Sequence, residues 1–219
     1  MTATTLSNSF PSADNDTVAV IIPNRPNPVT ITYSRLHTLI ESFQAKLAAI
    51  GITPESAVSI ALPNTLEFIV SFLATAAQRA IAAPLNSAYK QEEFEFYIDD
   101  LKSALALVPK GEFAKNGPAV RAARNFQAAI AECWWDDATG EVVLDIKDLG
   151  KLQGKGNKKV ETAQPEDIAL VLHTSGTTGK PKAVPLTHRN LTRTMSMYCH
   201  PNLYTEPMLT INREHSGYI

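Results

Sequence analysis

The feature that most constrains the fold is a run of five apolar residues at 168–172, which leads directly into a segment of glycine, hydroxyl and lysine side chains. A continuous apolar run of this length is typical of a strand that is buried on both faces of a parallel sheet. In open α/β sheets, ligands bind beyond the carboxyl ends of the strands. The segment that follows residue 172 is therefore expected to form a ligand site.

The rest of the chain alternates between short apolar runs and stretches with helical spacing of apolar residues. Strands are predicted at Val18–Ile22, 29–33, 58–62, 81–85, 104–108 and 141–144, the first two forming a hairpin. Helices are predicted at 34–50, 91–101 and 120–132, and behind Asn64, which has capping-box spacing to Glu67. This alternation predicts an α/β fold with a mainly parallel sheet flanked by helices.

Composition excludes several classes of function. The chain has 219 residues, of which 44% are hydrophobic and 19% charged, as in a globular protein. The formal net charge of −2 offers no electrostatic reason to bind nucleic acid or an anionic membrane. No apolar run approaches the ~20 residues that cross a bilayer. Cys133 and Cys199 are far apart, so neither a zinc site nor a disulfide framework is expected. Cys133 is interpreted as part of a packed helix end.

Three segments differ from the body of the chain at 18–195. Residues 1–17 are polar and are expected to be disordered, without the features of a signal peptide. Residues 148–161 mix lysine with glycine, and are interpreted as a solvated surface loop in preference to a basic phosphate-binding patch. Residues 196–219 contain prolines and asparagines that break helical periodicity, so an irregular tail is expected, arising from a shifted frame, a retained intron or an early stop.

The segment behind residue 172 has the residue types that bind a polyphosphate. Two glycines let backbone N–H groups approach an anion closely, four hydroxyl side chains can donate hydrogen bonds, and two lysines supply positive charge. The predicted nucleotide-binding residues are Thr174, Ser175, Gly176, Thr177, Thr178, Gly179, Lys180 and Lys182. A flexible surface loop of the same composition is the alternative.

This segment is not a Walker A loop. That motif has four residues between its first glycine and its Gly-Lys pair, and a Ser or Thr after the lysine. Here only two residues separate Gly176 from Gly179, and Pro181 follows Lys180. Because a proline disfavours helical geometry in the residue before it, the loop is expected to stay extended.

Residues 174–182, T-S-G-T-T-G-K-P-K, resemble the phosphate loop of the adenylate-forming, AMP-binding acyl-CoA synthetase superfamily. Upstream segments are also similar to that family: Thr32-Tyr33, Leu62-Pro63-Asn64 with Glu67-Phe68, and Pro84-Leu85-Asn86. His173 before the loop and Val184-Pro185-Leu186-Thr187 after it resemble the oxalate–CoA ligase branch most, with a medium-chain or aryl acid as the alternative substrate. The chain is thus expected to be an incomplete N-terminal domain of this fold.

The resemblance implies a reaction in two steps. A small carboxylic acid attacks the α-phosphate of ATP, which enters with Mg²⁺, and the products are an acyl-adenylate and pyrophosphate. The thiol of CoA then displaces AMP. The residues of the loop would hold the β- and γ-phosphates, with Lys180 neutralising their charge as the catalytic residue. No protein metal site, nucleic acid or membrane span is expected. The cytoplasm is the expected location, and a peroxisomal one is open for a complete homologue, although the chain ends without S-K-L.

The family's adenine, ribose and C-terminal segments are not found in this sequence, so weak or undetectable ATP binding and no turnover by this chain are expected. The alternative function is a binding module without catalysis that associates with a full-length copy of the enzyme. A kinase is disfavoured because the Walker A loop and the kinase motifs are missing. Adjacent Cys199 and His200 are not expected to act as nucleophile and base.

Overall fold

The computed structural model describes residues 3–23, 28–174, 181–198 and 209–210. The strands are β1 Val18–Ile22, β2 Val29–Thr32, β3 Ala57–Ile60, β4 Ile81–Pro84, β5 Leu105–Pro109, β6 Ala129–Asp136, β7 Glu141–Asp148, β8 Ile168–Thr174, β9 Lys182–Thr187 and β10 Leu209–Thr210. The helices are α1 Tyr33–Ala49, α2 Leu66–Ala77, α3 Gln91–Asp100, α4 Pro118–Asn125 and α5 His188–Tyr198. Two 3-10 turns lie at Leu6–Asn8 and Gly150–Leu152.

The main sheet has seven strands in the order β7-β6-β5-β3-β4-β8-β9. The five inner strands are parallel to one another, and β7 and β9 pair antiparallel at the two edges. Each parallel connection between β3, β4, β5 and β6 contains one helix, as parallel pairing requires. The predicted α/β fold with a mainly parallel sheet is confirmed.

The helices form one layer on each face of this sheet. Side chains alternate along a strand, so neighbouring residues of β5 enter different cores. Leu105 and Leu107 pack in one core with residues of α1 and α2, including Phe43. Ala106 and Val108 pack in the other core with residues of α3 and α4. A strand buried on both faces is thus present in the centre of the sheet, at β5.

A second, small sheet has the order β10-β1-β2. β1 and β2 form the antiparallel hairpin that the sequence predicts. β10 pairs with β1 in parallel, through Val20 with Leu209 and Ile21 with Thr210. Part of the segment 196–219 therefore has regular pairing, and the end of α5 also reaches into it. The rest of that segment lies outside the described residues, so its irregular structure stays a prediction.

The predicted helix at 120–132 is wrong in its second half. Helix α4 ends at Asn125, Gln127 has a positive φ of 54°, and β6 begins at Ala129. The apolar residues at the start of β6 are buried between β5 and β7, where the sheet outweighs local helical propensity. Cys133 accordingly lies in a strand and not at a helix end, and is 1% exposed.

The predicted capping box from Asn64 to Glu67 is also wrong. Helix α2 begins at Leu66 after Thr65, which makes no side-chain cap hydrogen bond to the helix. The hydroxyl of Thr65 donates instead to the backbone carbonyl of Pro63. Glu67 is 8% exposed, so its side chain is buried under the helix and is not turned back to a cap.

Strand β8 is buried on one face only, and the prediction of burial on both faces is wrong. Ala169 and Val171 are buried, with Ala169 packing against Leu73 and Ala76 of α2. Leu172 is 43% exposed, and its antiparallel partner Val184 is 36% exposed. Among the described residues, no element covers these two side chains.

The N-terminal segment is packed where we expected disorder. Within residues 3–17, Thr5 and Leu6 are buried, and Leu6 shares a small core with Leu73 and Ala76 of α2. The side chain of Asn8 accepts hydrogen bonds from the backbone N–H groups of Thr4 and Thr5. One buried leucine and these local hydrogen bonds hold a segment whose overall composition is polar.

Residues 153–160 are all exposed, as a surface loop requires. The backbone of this segment is nevertheless fixed to α1, because Asn157 and Lys158 donate to the carbonyls of Ala49 and Ala48. The buried side chain of Gln78 donates to the carbonyl of Lys159 at 2.9 Å. Within the part of the chain that the structure describes, no helix is both long and apolar enough to cross a membrane.

Candidate functional site

The predicted phosphate segment connects β8 to β9 in an antiparallel hairpin. Thr174 ends β8, Lys182 begins β9, and the two residues are direct register partners. Both are exposed at the carboxyl end of β8. Ser175, Gly176, Thr177, Thr178, Gly179 and Lys180 lie outside the described residues. The structure therefore brings the two ends of the predicted site together at the edge where an α/β sheet binds ligands.

The first residues of the hairpin are held by an ion pair. The Arg79 guanidinium donates from Nε and Nη2 to the two carboxylate oxygens of Asp167, at 2.8 and 3.1 Å. Arg79 follows α2 in the left-handed region, with φ at 60°. Its backbone N–H donates to Ala76 and that of Ala80 to Thr75, the hydrogen bonds of a Schellman motif. The end of α2 thus sets the start of β8.

Charge and hydrogen bonding affect both partners of this pair. Burial raises the pKa of the Asp167 carboxyl, but hydrogen bonds from Arg79 and from the backbone N–H of Gln164 outweigh it and leave the pKa below its ordinary value. The hydrogen bond to Asp167 raises the pKa of Arg79. The backbone carbonyl of Asp167 also accepts a hydrogen bond from the backbone N–H of His188, at 3.1 Å. Asp167 therefore connects the start of β8 to the end of β9.

His188 begins α5, directly after β9, and is fully buried. Its Nδ1 accepts from the backbone N–H of Leu6 at 3.1 Å, so the ring proton sits on Nε2, which donates to the carbonyl of Ala76 at 3.2 Å. Burial lowers the pKa of His188, although the Ala76 carbonyl and the Asp167 charge oppose this effect. The neutral ring connects the N-terminal turn, α2 and α5.

The start of α5 is capped by a reciprocal pair of hydrogen bonds. The backbone N–H of Thr187 donates to Asn190 Oδ1 at 3.0 Å, and the backbone N–H of Asn190 donates to Thr187 Oγ1 at 3.2 Å. This is the geometry of a capping box with asparagine at the third helical position. It explains why the strand ends and the helix begins at the sequence T-H-R-N.

At the other end of β8, the residue before the loop is also fixed. His173 Nε2 lies 3.0 Å from Asp100 Oδ2, and its ring centroid lies 4.7 Å from that of Tyr97. Burial, together with a hydrogen bond to Tyr89, raises the pKa of Tyr97 to about 12. Sequence reasoning missed Asp100, Tyr97, Arg79 and Asp167, because none belongs to a local motif of the loop.

No group of three or more His, Cys, Asp or Glu side chains that could hold a metal ion occurs in the described part of the chain. A cavity of about 200 Å³ lies elsewhere, between the N-terminal turn, α1 and residues 161–163. Its lining includes His37, Glu41 and Glu161 but none of the predicted site residues. It therefore has no part in the site at the β8–β9 hairpin.

The chain matches the family of AMP-binding enzymes over residues 10–211. This protein belongs to the AMP-binding enzyme family. The oxalate–CoA ligase of Arabidopsis thaliana is 43% identical over 162 residues, which cover 74% of this chain and 30% of the ligase. The oxalate–CoA ligase of Saccharomyces cerevisiae is 36% identical over 201 residues, covering 82% of this chain and 37% of the ligase. The chain spans about a third of the length of these relatives.

Solved structures show the same fold. ATP-bound MatB from Rhodopseudomonas palustris superposes with a TM-score of 0.65 at 22% identity, over 84% of this chain and 34% of MatB. A fatty acyl-adenylate ligase from L. pneumophila, in complex with acyl adenylate and pyrophosphate, superposes with a TM-score of 0.63 at 19% identity, over 89% of this chain and 32% of the ligase. The sheet and helices described above are therefore part of the adenylate-forming fold.

Proposed function

We propose that this chain is the N-terminal, phosphate-binding portion of an ATP-dependent acid–CoA ligase. The observation that carries the proposal is the β8–β9 hairpin, in which Thr174 and Lys182 face each other at the carboxyl end of β8 in a member of the AMP-binding enzyme family. In the proposed reaction a carboxylate oxygen attacks the α-phosphorus of ATP, and pyrophosphate leaves. The sulfur of CoA then attacks the acyl carbon, and AMP leaves.

The residues of the hairpin and its loop have distinct roles in this proposal. Thr174, Ser175, Thr177 and Thr178 donate hydroxyl hydrogen bonds to the β- and γ-phosphate oxygens. Gly176 and Gly179 let backbone N–H groups approach the same oxygens. Lys180 neutralises the charge that pyrophosphate carries as it leaves, and Lys182 adds a second cation at the start of β9. Positioning and charge neutralisation are the main contributions to a transfer of this type.

Magnesium is proposed to enter as the ATP complex. The described residues provide no carboxylate cluster for a resident ion, and Mg²⁺ commonly keeps substrate phosphate oxygens and waters among its ligands. When bound, the ion would supply positive charge on the phosphate oxygens. The hydroxyl and lysine side chains of residues 174–182 would orient that complex.

The proposed acid is oxalate. Support comes from the two oxalate–CoA ligases that are 43% and 36% identical to parts of this chain. His173 and the Val-Pro-Leu-Thr sequence of β9 are the residues whose resemblance points to the same branch. CoA is proposed as the second substrate of the whole enzyme, with other small carboxylic acids as competing candidates.

The proposal is tested by ATP–pyrophosphate exchange with the purified 219-residue chain, with oxalate and a panel of other acids. Lys180→Ala is the test variant and Lys158→Ala is its control, because Lys158 is an exposed lysine of the 153–160 loop. Exchange that needs an acid and is lost only in Lys180→Ala supports the role of Lys180 and names the acid, but it overturns the expectation that this chain does not turn over. Equal loss of exchange in Lys158→Ala would indicate that phosphate binds at the basic 153–160 loop.

Tripolyphosphate binding, measured by calorimetry, separates binding from catalysis. If Lys180 contacts phosphate, its replacement by alanine weakens binding by about tenfold or more, which is the usual effect of a lost charge-assisted hydrogen bond. Binding without exchange is the result expected of a phosphate-binding portion by itself, whereas co-purification with a full-length copy of the enzyme would support the alternative, a binding module without catalysis. No binding by the unmodified folded chain contradicts the proposed role of residues 174–182.

A further inference from the structure

The imidazole of His173 is fixed more firmly than its place at a loop boundary requires. Its side chain is 5% exposed, although the next residue, Thr174, is exposed. Nε2 lies 3.0 Å from Asp100 Oδ2. Because an ionised carboxylate can only accept, Nε2 carries the proton and donates to Asp100. The last side chain before the loop is therefore joined to helix α3.

Aromatic rings of the same helix enclose the imidazole. The Tyr97 ring centroid lies 4.7 Å from that of His173, and the Phe96 centroid lies 6.3 Å away in an edge-on arrangement. The Tyr89 and Tyr97 rings stack with their centroids 5.3 Å apart, and this contact restrains the Tyr97 ring. Burial raises the pKa of Tyr97 to about 12, so its phenol is neutral and the ring contributes packing against the imidazole.

The position of Asp100 is unfavourable for the helix itself. Asp100 is the last residue of α3, where the helix dipole disfavours a negative side chain. The donor of His173 offsets this effect, and through it the carboxylate is linked to the end of β8. The neighbouring Asp99 pairs with Lys102 on the surface and has no such link.

We infer that Asp100 and His173 form a positioning pair that holds the Thr174–Lys182 end of the hairpin in the one conformation able to bind phosphate. Neither residue touches the nucleotide, and both act through Thr174. This inference rests on the proposed function of residues 174–182. It implies that the phosphate site also needs a residue outside the loop motif, namely Asp100, which precedes His173 by 73 residues in the sequence.

The test compares five variants of the 219-residue chain: Asp100→Ala, Asp100→Asn, His173→Ala, His173→Gln and the control Asp99→Ala. Two quantities are measured on each, namely the hydrogen-exchange rates of the Thr174 and Lys182 amides without ligand, and the dissociation constant of tripolyphosphate. Asp100→Ala and His173→Ala are expected to raise both about tenfold. His173→Gln keeps an N–H donor, and Asp100→Asn keeps an acceptor oxygen, so both are expected to recover part of the loss.

The control separates positioning from general destabilisation. Asp99→Ala removes a surface ion pair and is expected to change neither quantity. Exchange rates that stay unchanged in Asp100→Ala would overturn the inference while leaving the proposed function intact. Faster exchange with unchanged tripolyphosphate affinity would also overturn it, because the pair would then be only structural. Failure of the unmodified chain to bind tripolyphosphate would overturn both proposals.

Discussion

The imidazole Nδ1 of His188 accepts a hydrogen bond from the backbone N–H of Leu6, at 3.1 Å, between residues that are 182 positions apart in the sequence. The other ring nitrogen donates to Ala76 of α2. With these two hydrogen bonds, neither ring nitrogen of the fully buried imidazole is left without a partner. The helix that follows β9 is thereby connected to the first turn of the chain.

Replacing His188 by alanine is expected to destabilise the fold by about 2–4 kcal/mol, because it leaves the Leu6 N–H without its partner, removes one donor from the Ala76 carbonyl, which keeps the Arg79 N–H, and opens a cavity. The measurement is urea unfolding followed by circular dichroism. His37→Ala is the matched control, since His37 makes one hydrogen bond, to the carbonyl of Pro11, and is only partly buried. Equal losses for the two variants would contradict the role given to His188.

His188 is also expected to make the free energy of unfolding depend on pH. Burial lowers the pKa of His188 in the folded state, so between that pKa and the unfolded value of about 6.5 the unfolded chain binds more protons. Stability is therefore expected to be complete above pH 6.5 and to fall as the pH drops below it. His188→Gln, which has no proton to gain, should show a smaller slope between pH 5 and 7. Identical slopes would exclude His188 as the source.

Local sequence pattern was sufficient for most of the secondary structure but not for β6. Apolar spacing located α1, α3 and the other strands of the parallel sheet, since each has a buried face of its own. Residues 120–132 contain alanines that suit either state, and only pairing with β5 and β7 makes the second half a strand. Burial of Glu132 there depends on the backbone N–H of Phe113 and on Lys147, which no local pattern shows.

The candidate site also contains residues that the sequence predicts and residues that it does not. The residues of the loop form a contiguous motif, so their chemistry can be predicted from the sequence alone. The residues that hold the hairpin come from distant elements: Asp100 from the end of α3, Arg79 from the turn behind α2, and Leu6 from the N-terminal turn. Their importance follows from tertiary packing, which a single sequence does not reveal.

Arg79 combines an ion pair with an unfavourable backbone conformation, and two substitutions separate these effects. Both Arg79→Gly and Arg79→Ala lose the pair with Asp167, but only alanine keeps a Cβ atom at a φ of 60°. Glycine at such a C-terminal helix position avoids a cost of about 1 kcal/mol. We expect the glycine variant to be the more stable of the two by about that amount in thermal unfolding. An alanine variant that is equally stable would show that this turn carries no strain.

Cys133 is expected to be inert in the folded protein. It is 1% exposed in β6, and burial, with the nearby Glu67 charge, raises the pKa of its thiol well above the ordinary value. Because the thiolate is the reactive form, iodoacetamide should label Cys133 only after unfolding. Cys199→Ser isolates the signal, and labelling is measured by mass spectrometry in buffer and in urea. Rapid labelling in buffer would contradict the burial of this strand.

Thr75 offers a substitution that should stabilise the fold. Its hydroxyl is buried in α2 and has no hydrogen-bond partner among the described residues. A buried hydroxyl without a partner costs about 1–3 kcal/mol, and valine has nearly the same shape without the polar atom. Thr75→Val is therefore expected to raise the free energy of unfolding by about 1 kcal/mol, whereas Thr75→Ser, which keeps the hydroxyl and removes a methyl group, should lower it. Urea unfolding of the three proteins measures this order, and a valine variant less stable than the original would mean that the Thr75 hydroxyl is bonded in solution.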